Sequence, residues 1–81
     1  MREDIWKLLT GAIIDVLQCD VSELDPETSF EGDLGADSLD AYQIILEIQD
    51  QTDVELPEER VQNLVTLQDA YDLLAEFIKE D

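Results

Sequence analysis

The chain contains no histidine, one cysteine and only four basic residues, Arg2, Lys7, Arg60 and Lys79, among its 81. Each shortage argues against a class of function. With no histidine to act as base, and no Gly-x-Ser-x-Gly elbow, a self-contained serine hydrolase is disfavoured and no catalytic residue is expected. The lone Cys19 forms no internal disulfide and reads as a buried or half-buried small hydrophobe in a reducing compartment. No apolar run reaches spanning length and no basic-then-apolar segment opens the chain, so neither a membrane span nor a signal peptide is expected. The expected location is the cytoplasm or an equivalent soluble compartment.

The shortage of positive charge is the most consequential. Against four basic residues stand 22 acidic ones, for a net charge of −18. Between Leu8 and Glu59 there is no Lys or Arg, but there are 15 Asp and Glu. Phosphate-rich partners would be repelled, which excludes nucleic acid and argues against anionic membranes. Basic protein patches are the favoured partners, with fast, salt-sensitive encounter. An EF-hand loop started at Asp33 puts Asp37 at position five, but Ser38 replaces the glycine at six and Ile44 the glutamate at twelve. No metal site is expected.

What is present is a helical pattern in a single unit, residues 1–81. Apolar residues make up 44 %, too many for a disordered acidic tail. Ile5, Leu8, Leu9, Ala12, Ile13, Val16 and Leu17 share one face of a helix over 3–18. Trp6 lies at the edge of that stripe, against a loop. Residues 19–36 form a long connection, pinned to the core by Leu24, Phe30 and Leu34, with Pro26 stiffening one turn and Gly35 giving backbone freedom. A second helix covers 38–51 and a short extended link runs from Asp53 to Leu56. Pro57 fits the first position of a short third helix, with Val61 and Leu64 facing the core. Thr66 with Asp69 forms a capping box opening the last helix, whose Leu67, Ala70, Tyr71, Leu74, Phe77 and Ile78 share a face. No stretch alternates with a period of two, so no sheet is expected. The fold class is all-α: a small four-helix bundle of three longer helices and a short third, with a long loop between the first two.

The second helix carries two apolar faces. With Ser38 at zero and about 100° per residue, Ala41, Ile44, Ile45 and Ile48 fall together between about 240° and 340°. Leu39, Tyr42 and Leu46 cluster between about 40° and 100°, followed by Asp50, Gln43, Glu47 and Asp40. One stripe docks the helix. The other, beside a serine and bordered by acids, has the make-up of a recognition surface, unless the long loop packs over it.

The run Asp33-Leu34-Gly35-Ala36-Asp37-Ser38-Leu39-Asp40 opens that helix. A hydroxyl in its first turn lies at the positive end of the helix dipole, where a phosphate is favoured. On Asp37-Ser38-Leu39 alone, either polar residue is equally an ordinary N-cap. The run closely resembles the prosthetic-group site of acyl carrier proteins. The resemblance extends through the second helix, the Asp53–Pro57 link and Thr66-Leu67-Gln68-Asp69-Ala70.

The resemblance implies the family's fold, and a carrier that does no chemistry itself. Ser38 would bear 4'-phosphopantetheine, moved there from coenzyme A by a phosphopantetheinyl transferase. Acyl intermediates would travel as thioesters to synthases, reductases, dehydratases or acyltransferases of fatty-acid, polyketide or specialised lipid synthesis. Positions matching Asp37, Leu39, Asp40, Leu46 and Asp50 would dock basic enzyme surfaces, with Tyr42, Gln43 and Glu47 completing that face on the helical wheel, and Ile44, Ile45, Ile48, Leu64 and Ala70 would shelter the acyl chain. A monomer is expected. Tyr42, Gln43, Glu47 and Thr52 depart from the common fatty-acid pattern, which points to a carrier with its own dedicated enzymes. A peptidyl or aminoacyl carrier, or an acidic interaction module without a prosthetic group, are the alternatives.

Overall fold

The spacing of apolar residues becomes four helices in the computed structural model, which describes residues 2–78. These are α1 (Glu3–Leu17), α2 (Ser38–Thr52), α3 (Glu58–Gln62) and α4 (Leu67–Phe77). The helix expected over 3–18 stops one residue earlier. Gln18 takes a left-handed conformation, φ 55°, and its N–H caps the Ile14 carbonyl. Helix α2 runs one residue further than expected and ends in the same way at Asp53, φ 58°. Pro57 is the N-cap of α3 rather than its first residue: its ψ of 127° is extended, and its carbonyl accepts the N–H groups of Arg60 and Val61.

Helix α1 packs against α2 and α4, and α3 leans on α2. Ile5, Leu9, Ala12 and Ile13 of α1 meet Ile44, Ile45 and Ile48 of α2 and Leu67, Ala70, Leu73 and Leu74 of α4 in one core. Burying a side chain of this size stabilises by about 1.5–3 kcal/mol, so these residues dominate the fold. Three residues expected on the inner face of α1, Leu8, Val16 and Leu17, are only half-buried, as are Trp6 and Cys19. Phe77 and Ile78 are likewise half-buried, while Leu73 widens the inner face of α4. Thr10 is buried in α1, its hydroxyl donating to the Trp6 carbonyl at 2.9 Å.

The long connection is more ordered than its composition suggests. It contains a 3-10 turn at Val21–Glu23. Leu24 and Phe30 are buried as expected, and Leu34 is half-buried. Backbone bonds add a seam. Phe30 N–H donates to Val65 O at 2.9 Å, while Leu67 and Gln68 N–H donate to the Thr28 and Pro26 carbonyls, each at 2.9 Å. Ser29 and Thr66 thereby form a single antiparallel bridge, and there is no strand among the described residues. Two orphan donors of α4 are satisfied by the loop. A third, Asp69 N–H, goes to Thr66 Oγ1 at 3.2 Å in the expected capping box. Gly35 sits at φ 65°, where a side chain would be strained, and turns the chain into α2.

Positive charge is sparse, and the two arginines are tied down. Arg60 of α3 pairs with Glu76 of α4, and the Arg2 guanidinium bridges Asp4 and the Ile78 carbonyl, each at 2.8 Å. The remaining surface is overwhelmingly acidic and repels itself. Raising salt from low to physiological strength is therefore expected to raise the unfolding midpoint by about 5 °C, as screening reduces that repulsion. A thermal melt whose midpoint stays flat or falls over this range would contradict it.

Candidate functional site

Three elements converge where the long connection enters α2. Asp37 is the N-cap: its Oδ1 accepts the Asp40 N–H at 2.9 Å, and Asp40 Oδ2 accepts the Asp37 N–H at 3.4 Å. This reciprocal box leaves Ser38, the first residue of α2, with no capping duty. Ser38 is exposed, and its hydroxyl makes no hydrogen bond among the described residues. A free hydroxyl thus stands on the N-terminal turn of a 15-residue helix. Partial positive charge gathers there, and an attached phosphodiester is favoured by about 0.3–1 kcal/mol.

A cleft of about 450 Å³ opens beside that hydroxyl. Ser38 lines it, with Phe30, Ala36, Ala41, Leu64 and Val65 supplying apolar walls. Of the five residues expected to shelter a chain, only Leu64 lines this cleft. Ile45 reaches a neighbouring cleft between α2 and α3. Ile44, Ile48 and Ala70 are fully packed in the core. Helical periodicity identified them correctly as inward-facing, but the opening lies nearer the loop, where residues 29–36 and 61–65 face the start of α2. Phe30, Ala36, Ala41, Val61 and Val65 line the cleft outside the expected set. Phe30, Ala36 and Ala41 are marked by nearness to Ser38 in the chain, while nothing local marks Val61 and Val65.

The second apolar face of α2 stays uncovered. Leu39 is 68 % exposed, Leu46 43 % and Tyr42 39 %. The long loop folds back toward α4 rather than over this face. Asp37, Gln43 and Asp50 are exposed around it, and Asp40 is half-buried at its edge. Leu46 borders a shallow depression rimmed by Asp50, Asp53 and Glu55, a shape and charge suited to a basic side chain. Two of the departures from the common pattern turn away from partners: Thr52 Oγ1 donates to the Ile48 carbonyl at 2.8 Å, and Glu47, at the edge of the face, turns toward Asp15 of α1.

Glu47 lies on the α1 side of α2, half-buried, and its Oε2 is buried with no hydrogen-bond donor facing it. Its carboxyl is pushed up from the usual carboxylate range, first by desolvation and then by the Asp15 carboxyl of α1 beside it. A raised folded value means that this group contributes stability at acid pH and loses it as pH rises through the folded pKa. Glu47→Gln is therefore expected to raise the unfolding midpoint by a few degrees at neutral pH. The gain should fade as pH falls toward 4.5, the ordinary value for the group. Melts of both proteins across pH check this, and a Gln variant less stable at neutral pH would refute it. Cys19, half-buried, has its thiol pushed up by burial, with Glu23 and Asp20 adding to the effect. Burial thus favours the neutral thiol over the thiolate.

A family profile described as phosphopantetheine attachment site (PP-binding) matches residues 7–74. An acyl carrier protein of Rubrobacter xylanophilus is 37 % identical over 75 residues, covering 93 % of this chain and 93 % of the relative. An acyl carrier protein of Picosynechococcus sp. is 29 % identical over 76 residues, with 94 % of each chain covered.

Proposed function

We propose Ser38 as the attachment point of the arm in a chain that belongs to the acyl carrier protein family, a carrier of acyl groups on phosphopantetheine rather than an enzyme. The observation that carries the assignment is the division of labour at the start of α2. Asp37 takes the cap, so the exposed Ser38 hydroxyl is left free beside an apolar cleft. The residues fit the group: the hydroxyl is reachable, the helix terminus favours its phosphate, and the cleft lies alongside. When attached, the arm supplies a terminal thiol that holds cargo as a thioester.

The chain's own residues do the rest. Leu39, Tyr42 and Leu46 give partner enzymes an apolar centre. Asp37, Asp40, Gln43 and Asp50 give it a polar and mostly acidic border that selects basic partners and speeds encounter. Those partners are a phosphopantetheinyl transferase and the synthases, reductases, dehydratases or acyltransferases that use the cargo. The walls of the cleft exclude water from whatever apolar chain enters it. The whole of 1–81 acts as one carrier domain, working in the cytoplasm or an equivalent compartment. No helix among the described residues is long and apolar enough to cross a membrane.

The test is direct. Incubation with coenzyme A and a broad-specificity transferase should add one arm, seen by intact mass, and peptide mapping should place it on Ser38. A protein that stays unloaded, or is loaded at another residue, would sink the assignment.

A further inference from the structure

The cleft at Ser38 does not run on into the groove between α2 and α3. Tyr42 and Val61 line both this cleft and a second one of about 470 Å³, whose other walls include Ile45, Gln49, Leu56 and Pro57. One residue of α2 and one of α3, shared by two adjoining cavities, form the ridge that divides them. Val61 is buried and short, but Tyr42 is large and part-exposed. Its hydroxyl makes no hydrogen bond among the described residues. The bulk of the partition is therefore a phenol ring held by packing alone. Beyond it the second cleft has an apolar side of Ile45, Leu56, Pro57 and Val61, with Glu55 and Glu58 at its rim.

We propose that Tyr42 sets the length of acyl chain this carrier shelters. A chain led from Ser38 fills the first cleft and stops at the ring, so that short acyl groups are covered and the far end of a long one stays in water. The inference rests on Ser38 bearing the arm. It deepens that reading by naming the cargo class, short acyl chains, and the residue that limits it. Each cavity alone lies in the lower half of the usual range for ligand sites of roughly 300–1,000 Å³. Without the ring the two would merge into one groove near the top of that range.

The experiment loads Ser38 with octanoyl- or hexadecanoyl-phosphopantetheine from the matching acyl-coenzyme A, driven to completion and checked by intact mass because Tyr42 also lies in the docking face. It then follows cleavage of the thioester by hydroxylamine, with unfolding midpoints measured in parallel. In the parent and in Tyr42→Phe, which keeps the ring, the two thioesters should be cleaved at rates within about twofold of each other, since the longer chain gains no burial past the first cleft. Each further sheltered methylene favours the covered state by about fourfold, so in Tyr42→Val the hexadecanoyl thioester should be cleaved at least tenfold more slowly than the octanoyl. Its unfolding midpoint should rise in parallel. Tyr42→Leu, which suits a helix better, repeats the test if the Val variant folds poorly. A parent that already protects hexadecanoyl as well as the Val variant does, or a Val variant indifferent to chain length, would overturn the inference while leaving the carrier reading standing. Failure to load Ser38 of the parent would remove both.

Discussion

Ser38→Ala is expected to accept no arm at all, while its unfolding free energy stays within about 0.5 kcal/mol of the parent. The first half follows from the other two serines. Ser29 is half-buried, and its hydroxyl is engaged with Asp33, donating to Oδ2 at 3.4 Å and accepting the backbone N–H at 3.0 Å. Ser22 is exposed but sits in a three-residue 3-10 turn, too short to gather a helix dipole behind its hydroxyl. Ser29 lines the same cleft as Ser38 and Tyr42, so its bonds to Asp33 are what set it apart. The second half follows from Asp37 holding the cap, so removal of the Ser38 hydroxyl breaks no hydrogen bond. Alanine is also the better helix former. Intact mass after exhaustive incubation, together with denaturant melts, reads both halves. An arm appearing on Ser22 or Ser29, or a loss of stability above 1–2 kcal/mol of the kind that follows a lost cap, would show that Ser38 had been misassigned.

The helices were legible because burial along a helix repeats every 3.6 residues, and α1, α2 and α4 each carry that repeat. The Thr66–Asp69 box was legible because a cap is a local device whose two partners are three residues apart. The seam between the long loop and α4 was not. The bonds from Leu67 to Thr28 and from Phe30 to Val65 join backbone groups, and every residue except proline offers the same N–H and carbonyl, so no side chain announces them. The cleft was legible only in part for a related reason. A helical wheel sorts residues into inward and outward but is silent on where two helices stand apart. Ile44 and Ile48 therefore looked like Leu64, although only Leu64 meets the opening. Glu47 was misplaced by a small angle. It sits at the boundary between the two faces of α2, and the neighbouring Asp15 of α1 came from a different helix altogether.

These gaps share a cause with the site itself. A carrier must expose an apolar surface and still fold, so α2 is asked to be amphipathic twice. The core stripe is settled by packing against α1, where Ile44, Ile45 and Ile48 are buried. The outer stripe has no such partner in the fold. Its exposure agrees with the charge pattern, since acids around an uncovered apolar patch discourage self-association of identical chains through like-charge repulsion while attracting basic surfaces.

Leu39→Ala is expected to slow loading of Ser38, measured as kcat/KM of a phosphopantetheinyl transferase, by about thirtyfold, the equivalent of roughly 2 kcal/mol of lost transition-state binding. Leu39 follows the serine directly and is 68 % exposed, so truncation takes little from the core and the unfolding midpoint should hardly move. What is lost is the apolar anchor nearest the reacting hydroxyl. Such central residues carry most of an interface's free energy, while charged rims mainly govern the rate of encounter. Asp50→Asn, at the far border of the same face, should therefore cost only a few-fold and weaken the salt dependence of loading. The two variants separate two pictures of recognition. If charge alone draws the enzymes in, Asp50→Asn will be the more damaging and Leu39→Ala nearly silent. If the apolar centre grips and the acids only guide, the order reverses, and raising salt should narrow the difference between Asp50→Asn and the parent while leaving the Leu39→Ala deficit in place.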